Sequence, residues 1–543
     1  MTIMSGDDEM DEVQGERHNP TQLQPNKCKV EGRLVTQVCA CMAAGLGMFV
    51  SGAVIGWPGA ALPSLDHDPQ MNMSTVQRAW VVGIVALCGV IGSFVTARVL
   101  DRVGRRKTLI CVSPVMAVGW VIIALAPNLA VVLVGRAACG LVTPFLFSGA
   151  CVYNSETPEP WLRGRLGSLS TLLLTIGILL SYVVGHLASW RNSCYILACP
   201  CLLTMLAVLL VPESPYFLML KHRRNEAKAA LLWLRGPKFN LETEMEAMEE
   251  KISEVGRKMD YRELLKPRTR KPFIIALFIH TLQQVSGGNI LIMYTGTVFI
   301  SAGVVNHGMA TVYVGLVQLA GTMCSLLLMD HLGRRPMIIT STFIMGSVTV
   351  VLGGCYYVND VLGLGWPSWI PLMTILVAQF GYCLGCRTVP WLVSSELFNT
   401  TIRTTANSIC FSWNRILNFI VVQIYPFFVE ATGSYTVFFV FGSLCLLCCI
   451  ISILFLPETK GKSLEQIQDF FQDQQQADTK NKYNNNNKKE FEICIATRNH
   501  EKKSMLGDLM IENPEGETGN KEVKDDTHLA CSEGQQIERA GVW

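Results

Sequence analysis

Three amides crowd an otherwise apolar stretch of this chain, Gln283-Gln284-Val285-Ser286-Gly287-Gly288-Asn289. Polar side chains set in hydrocarbon are costly and turn toward a cavity or another helix. Gln284 and Asn289 are five residues apart, close to one helical face, and Gln283 sits about 100° round from Gln284. An amide both donates and accepts hydrogen bonds, which suits an uncharged polyol. The alternative role is interhelical glue. Gly287-Gly288 interrupts helix propensity beside them, as at the discontinuous helices of transporters.

A second chemistry is cationic. Arg387 and Arg415, counted from the ends of their apolar runs, both land near mid-membrane depth. A central arginine costs roughly 2.5–3.5 kcal/mol, and these runs contain no evident acid to neutralise either one. Either backbone carbonyls and water take their donors, or the pair holds an anionic substrate.

A third pattern is a repeated charged turn. Asp101-Arg102-Val103-Gly104-Arg105-Arg106-Lys107 lies between two apolar runs, and so does Asp330-His331-Leu332-Gly333-Arg334-Arg335. Glu156 is followed seven residues on by Arg163, and Glu396 by Arg403. Pro212-Glu213-Ser214 closes the first series and Pro457-Glu458-Thr459 the second. Three paired signatures in one order imply a duplication. Charge this dense belongs at a membrane face. There, Arg105 and Arg106 stand ready to pair with Glu156, and Arg334 and Arg335 with Glu396. Such pairs would form a cytoplasmic latch, closed while the opposite side is open. The alternative is that the arginines are only positive-inside signals. An exposed pair contributes about 0–1 kcal/mol, so a latch needs a network.

The elements that position these residues are membrane helices. Half of the 543 residues are hydrophobic and 16% charged, well below the roughly one quarter of a soluble domain. Spans of ~20 apolar residues are expected near 34–56, 79–100, 108–126, 129–152, 166–187 and 194–211. A second set follows near 273–300, 310–329, 337–358, 368–395, 405–428 and 436–456. This is an all-α membrane protein, with twelve transmembrane helices in two six-helix pseudo-symmetric halves. The expected organisation is a polar tail over 1–33, halves over 34–212 and 272–457, a linker with short helices over 213–271, and a largely disordered tail over 458–543.

Residues 221–271 hold fourteen Lys and Arg, which places the linker, both arginine turns and both termini in the cytosol. Residues 1–30 lack the apolar core of a secretory signal. Trp57, Trp80, Trp190 and Trp366 fall where interfacial aromatics are expected. The formal net charge of +2 suggests no nucleic-acid partner.

Together these signatures resemble the sugar porter family of the major facilitator superfamily. The carriers are Asp101–Arg106, Glu156 to Arg163-Gly164, Pro212-Glu213-Ser214-Pro215, Gln283–Asn289, Asp330–Arg335, Pro390-Trp391 and Pro457–Lys462. They cover about 34–470. Trp57 with Ala60-Ala61-Leu62-Pro63, and Leu232-Trp233-Leu234-Arg235-Gly236, resemble facilitated trehalose and glucose transporters. The resemblance implies sugar contacts at Gln283, Gln284, Asn289, Gln318, Trp391 and Trp413. An indole offers an apolar face to a sugar's C–H face and an N–H to a hydroxyl.

Three positions depart from the family. Gly385-Cys386-Arg387-Thr388 replaces a Gly-Pro-Gly-Pro hinge, Cys383 replaces a tenth-span acid, and Ser412 an asparagine beside Trp413. Proton-coupled members usually carry a first-span carboxylate, but Phe49-Val50-Ser51-Gly52-Ala53-Val54-Ile55 has none. Among side chains that titrate near neutrality, only His186 and His280 stand in its place. The expectation is therefore alternating-access uniport of a neutral sugar, trehalose or a hexose, in the plasma membrane. The alternatives are a carrier of organic anions or sugar acids using Arg387 and Arg415, and a transport-inactive sensor signalling through the tail.

An enzyme is not expected. Cys383-x-x-Cys386 and Cys445-x-x-Cys448 lack the second pair or histidines of a metal site, so no metal or cofactor is expected. Gly461-Lys462-Ser463 has Leu456 where a phosphate loop needs its first glycine. Asn72-Met73-Ser74 falls in the first outer loop, whereas Asn399-Thr400-Thr401 faces the cytosol. In a glycosylating host, enzymatic deglycosylation should therefore increase electrophoretic mobility. Asn72→Gln should abolish that shift, and Asn399→Gln should leave it intact.

Overall fold

In the computed structural model, the described residues are 33–460 apart from 72, 238, 256–266, 365, 366 and 399, with positions 466 and 497. Within helices, the side chains of 251, 254, 255, 267, 268, 330, 395 and 400–404 lie outside the description. The glycosylation candidate Asn72, the side chains of Asp330 and Arg403, and the interfacial candidate Trp366 are therefore outside it.

The first half is built from α1 (Leu34–Asp66), α2 (Thr75–Val103), α3 (Arg105–Ala124), α4 (Leu129–Glu156), α5 (Pro160–Leu187) and α6 (Trp190–Leu209). Three short helices follow, the apolar α7 (Pro215–Leu220) and the amphipathic α8 (Arg224–Arg235) and α9 (Leu241–Val255). The second half comprises α10 (Pro267–Val285), α11 (Gly288–Met293), α12 (Thr295–Ser301), α13 (His307–Leu332), α14 (Arg334–Asp360), α15 (Trp369–Leu384), α16 (Val389–Leu397), α17 (Thr400–Thr432) and α18 (Ser434–Phe455). Among the described residues, eleven helical segments are long and apolar enough to cross a bilayer. The twelfth, α17, is 33 residues long and is made polar by Asn414, Arg415, Asn418 and Gln423.

Two spans are broken. The seventh divides after Val285, where Gly287 takes a left-handed φ of 80°, and the tenth divides at Gly385–Thr388. Broken backbone in a membrane exposes carbonyls that other groups must satisfy. Gln379 Nε2 donates to Gly288 O at 3.1 Å and Gln283 Nε2 to Arg387 O at 3.0 Å. Ser325 Oγ donates to Leu384 O at 2.7 Å and Ser341 Oγ to Gly381 O at 2.7 Å.

The first span is longer than its hydrophobic run implied, because helix α1 continues through Pro58 and Pro63 to Asp66. Trp57 is consequently not an interface anchor. It is 1% exposed, donates from Nε1 to Ser193 Oγ at 3.2 Å and meets Trp120 edge-on.

Each half is closed by one repeated construction. Glu213 Oε1 accepts from the backbone N–H of Arg105 at 3.0 Å and of Arg106 at 2.8 Å. Glu458 accepts from Arg334 and Arg335 N–H, both at 3.0 Å. Both carboxylates thus cap a helix from outside its own sequence, against the positive end of the dipole. Gly104 (φ 105°) and Gly333 (φ 92°) precede these helices, and a Cβ at either would strike the capping carboxylate. The next hydroxyl in each motif extends the array. Ser214 Oγ donates to Glu156 Oε2 at 2.5 Å and Thr459 Oγ1 to Glu396 Oε2 at 2.6 Å. Each acid then receives an arginine: Arg105 to Glu156 at 2.8 Å, Arg334 to Glu396 at 2.9 Å.

Removing a cap costs on the order of 1–2 kcal/mol, more where the orphaned N–H groups are buried. Glu213→Ala and Glu458→Ala should each lower the thermal midpoint of detergent-purified protein, and by similar amounts. Thermal scanning by size-exclusion chromatography measures this; an unchanged midpoint in either variant would refute the capping account.

Candidate functional site

The amides singled out in the seventh span meet partners from two other helices, α15 and α17. Asn289 Nδ2 donates to Gln284 Oε1 at 2.8 Å and to Asn418 Oδ1 at 3.3 Å. Gln284 Nε2 donates to Asn414 Oδ1 at 3.0 Å, and Asn414 Nδ2 to Gln283 Oε1 at 2.8 Å. Tyr382 Oη donates to Asn289 Oδ1 at 3.1 Å. Gln283, Gln284, Asn414 and Asn418 are buried, and Asn289 is half-buried. The result is one continuous chain of side-chain hydrogen bonds across α10, α11, α15 and α17. An amide retains donor and acceptor capacity beyond one bond, so this chain can exchange internal partners for the hydroxyls of a guest.

Gln318, fully buried on α13, joins from a different direction. Its Oε1 accepts from Arg387 Nη1 at 3.2 Å, and its Nε2 is buried near the Tyr182 hydroxyl without a well-aligned hydrogen bond. Arg387 also reaches Cys383 Sγ at 3.7 Å. Since Gln283 holds the backbone carbonyl of Arg387, the two polar groups are mechanically linked.

The two tryptophans separate. Trp391, half-buried, packs against Phe411 at 4.7 Å, His280 at 5.3 Å and Phe147 at 5.7 Å between ring centroids. Trp413 is 39% exposed and donates to Thr281 Oγ1 at 3.0 Å, outside the amide chain. Its neighbour Asn414, about 100° round the helix, faces the amides instead. Arg415 lies with its guanidinium 5.7 Å from the Phe147 ring centre, a cation–π contact across the halves.

The halves touch on both sides of this region. Toward the arginine turns, Phe147 of α4 meets Trp391. Away from them, Tyr182 Oη donates to Ile292 O at 2.8 Å, and Gly59 and Gly296 bring α1 and α12 into backbone contact that a methyl group would block. Thr175 and Thr322 lie 3.3 Å apart in the seam between α5 and α13.

At the arginine turns, the first arginine of each pair reaches its acid and the second does not. Arg106 donates to Val208 O and Leu209 O, and Arg335 to Ile453 O, at the ends of α6 and α18. Arg163 is exposed and forms no ion pair among the described residues. Both acid–arginine pairs join helices of one half.

Sequence reasoning missed Asn414, Asn418, Tyr382 and Phe147, and one further group. Arg136, 1% exposed, donates to Val81 O at 3.1 Å and Val54 O at 3.2 Å and stacks on Trp57. Its depth in an apolar run was the available signal.

Residues 34–471 match the family model described as Sugar (and other) transporter. The facilitated trehalose transporter Tret1 of Culex quinquefasciatus is 31% identical over 443 residues, covering 80% of this chain and 85% of that protein. The protein of the same name from Polypedilum vanderplanki is 32% identical over 445 residues, with coverage of 80% and 88%. Among solved structures, the proton:xylose symporter XylE bound to 6-bromo-6-deoxy-D-glucose is similar over 80% of this chain and 99% of that one. Its TM-score is 0.66 at 21% identity. The inward-open xylose transporter XylE from E. coli gives 0.68 at 20% identity, over 79% and 98%. The fold is thereby the major facilitator fold, and the chain belongs to the sugar transporter family: it is a multi-pass membrane transporter and not an enzyme.

Proposed function

We propose that this chain carries a neutral sugar, trehalose or a hexose, by facilitative uniport through alternating access. It acts in the plasma membrane with both termini cytosolic, an orientation that the basic linker favours. The observation that carries the reading is the amide chain from Gln283 to Asn418. A cluster that donates and accepts equally, at a helix break, matches a solute made of hydroxyls. Gln283, Gln284, Asn289, Asn414 and Asn418 bind hydroxyls, Gln318 reaches in from α13, and Trp391 offers an apolar ring face. Trp413 contributes indirectly, by holding Thr281 on α10. Phe147 against Trp391 closes the path toward the arginine turns. Tyr182 against Ile292 closes the other side, and access alternates as one contact parts while the other holds. The Glu156–Arg105 and Glu396–Arg334 arrays keep each half rigid during that rocking, with Arg163 and Arg403 lending positive charge to the cytoplasmic rim. The relatives named as facilitated trehalose transporters favour the same solute class.

The absence of coupling has its own support. Every Asp and Glu of the membrane-spanning helices stands near a helix end: Asp66, Asp101, Glu156, Asp330, Asp360, Glu396 and Glu430. Arg136, the buried cation facing the first span, is satisfied by carbonyls and by Trp57 rather than by an acid that could titrate.

Reconstituted protein should equilibrate labelled trehalose or glucose. Gln284→Ala and Asn289→Ala should each reduce the initial rate about tenfold, as expected for unpaired buried amides. Unaltered rates in both would remove the amide chain from the site. A protonophore, or a pH gradient of either sign, should leave neutral-sugar uptake unchanged; accumulation driven by an inward proton gradient would rule out uniport.

A further inference from the structure

We propose that the same site also takes sugars bearing a carboxylate, with Arg387 holding the acid and Gln318 as its companion donor. This inference rests on the sugar-transport reading and widens its substrate class.

The buried arginines of this protein are not equivalent. Arg105 has Glu156. Arg136 spends its donors on two carbonyls and its face on Trp57. Arg235 has Glu244, and the half-buried Arg415 lies against the ring of Phe147. Arg387 is 7% exposed, and its contacts are a neutral amide oxygen and a thiol sulfur on one nitrogen, Nη1. It forms no ion pair among the described residues. A charge kept from water is costly unless it is paired, and among the described buried arginines this guanidinium is the one that meets no carboxylate, backbone carbonyl or ring.

Its surroundings are short of acceptors. Gln318 turns its one oxygen to Arg387, which leaves Nε2, a donor, buried near the Tyr182 hydroxyl without a well-aligned hydrogen bond. The Thr388 hydroxyl beside it is also buried without a partner. A guanidinium and an amide NH2 side by side ask for a ligand with acceptors and no donors. A carboxylate meets that demand, in the bidentate geometry that guanidinium favours. A neutral hydroxyl would supply an acceptor but leave the charge uncompensated.

The position is suited to a sugar acid rather than to a free small anion. Arg387 sits on the break between α15 and α16, and its carbonyl is held by Gln283, the first member of the amide chain. A monosaccharide with its hydroxyls on the amides and an acidic substituent on Arg387 spans both features. Carrying such a solute alone moves one negative charge per cycle, so its flux responds to membrane potential; that of a neutral sugar does not.

D-Glucuronate and D-glucose test this, since they share a ring and differ at a carboxylate. Full-length protein in proteoliposomes should take up both. A potassium-diffusion potential, positive inside, should accelerate glucuronate entry and leave glucose entry unaffected. Arg387→Gln should lower the glucuronate-to-glucose rate ratio at least ~10-fold, the scale of a charge-assisted pair, and Arg387→Lys should restore most of it. Glucuronate should also raise the melting temperature of purified wild type, and not of Arg387→Gln. If glucose moves while glucuronate neither moves nor competes, the proposal is overturned. The same holds if Arg387→Gln and Arg387→Lys leave the rate ratio at its wild-type value. If no saccharide moves at all, the transport reading fails, and the melting experiment alone decides whether Arg387 binds the acid.

Discussion

Inside a bilayer, no water answers a polar group, so each one must be answered by another part of the protein or by the cargo. That requirement organises the second half of this molecule. The seventh and tenth spans are broken; Ser341, Ser325 and Gln283 take up the carbonyls of Gly381, Leu384 and Arg387 at the tenth-span break, and Gln379 braces Gly288 O at the start of α11. The amides therefore mend the scaffold and retain hydrogen-bonding capacity beyond it. Gln283 does both: its Nε2 secures the broken tenth span while its Oε1 receives Asn414. On the reading proposed above, substrate recognition and backbone repair share one set of atoms.

The same accounting explains which residues the sequence revealed. Gln283, Gln284 and Asn289 stood out because amides are rare in an apolar run, and the glycines beside them announced the break. Asn414 and Asn418 were hidden by their setting, since α17 is polar along much of its length and Asn414 adjoins a tryptophan of the family pattern. One residue of displacement on a helix is about 100°, enough to put Asn414 on the amide chain and Trp413 outside it. Phe147 and Tyr382 were invisible for the opposite reason. An aromatic in a hydrophobic span looks the same whether it faces lipid, core or gate. The apolar run over 34–56 understated the first span, since α1 continues through Pro58 and Pro63 to Asp66.

Long-range pairing was likewise beyond reach. Glu213 and Glu458 were legible as members of a repeated signature, but their role depends on backbone N–H groups more than a hundred residues earlier. The duplicated acids at 156 and 396 pointed correctly to arginine partners. What spacing could not convey is that each pair closes within its own half. An ion pair inside one lobe gives no resistance to separating the two lobes, so the resistance falls to apolar and backbone contacts: Phe147 with Trp391, Gly59 with Gly296, Tyr182 with Ile292.

The carboxylate of Glu213 has one more implication, for biogenesis. It lies just beyond the last helix of its half and fastens onto the start of the third, so α3, α4 and the end of α6 can be tied together once residue 214 has left the ribosome. The second lobe, fastened by Glu458 in the same manner, can then assemble against a finished neighbour. A ribosome feeding this chain into the membrane thus faces two successive six-helix problems instead of one problem of twelve.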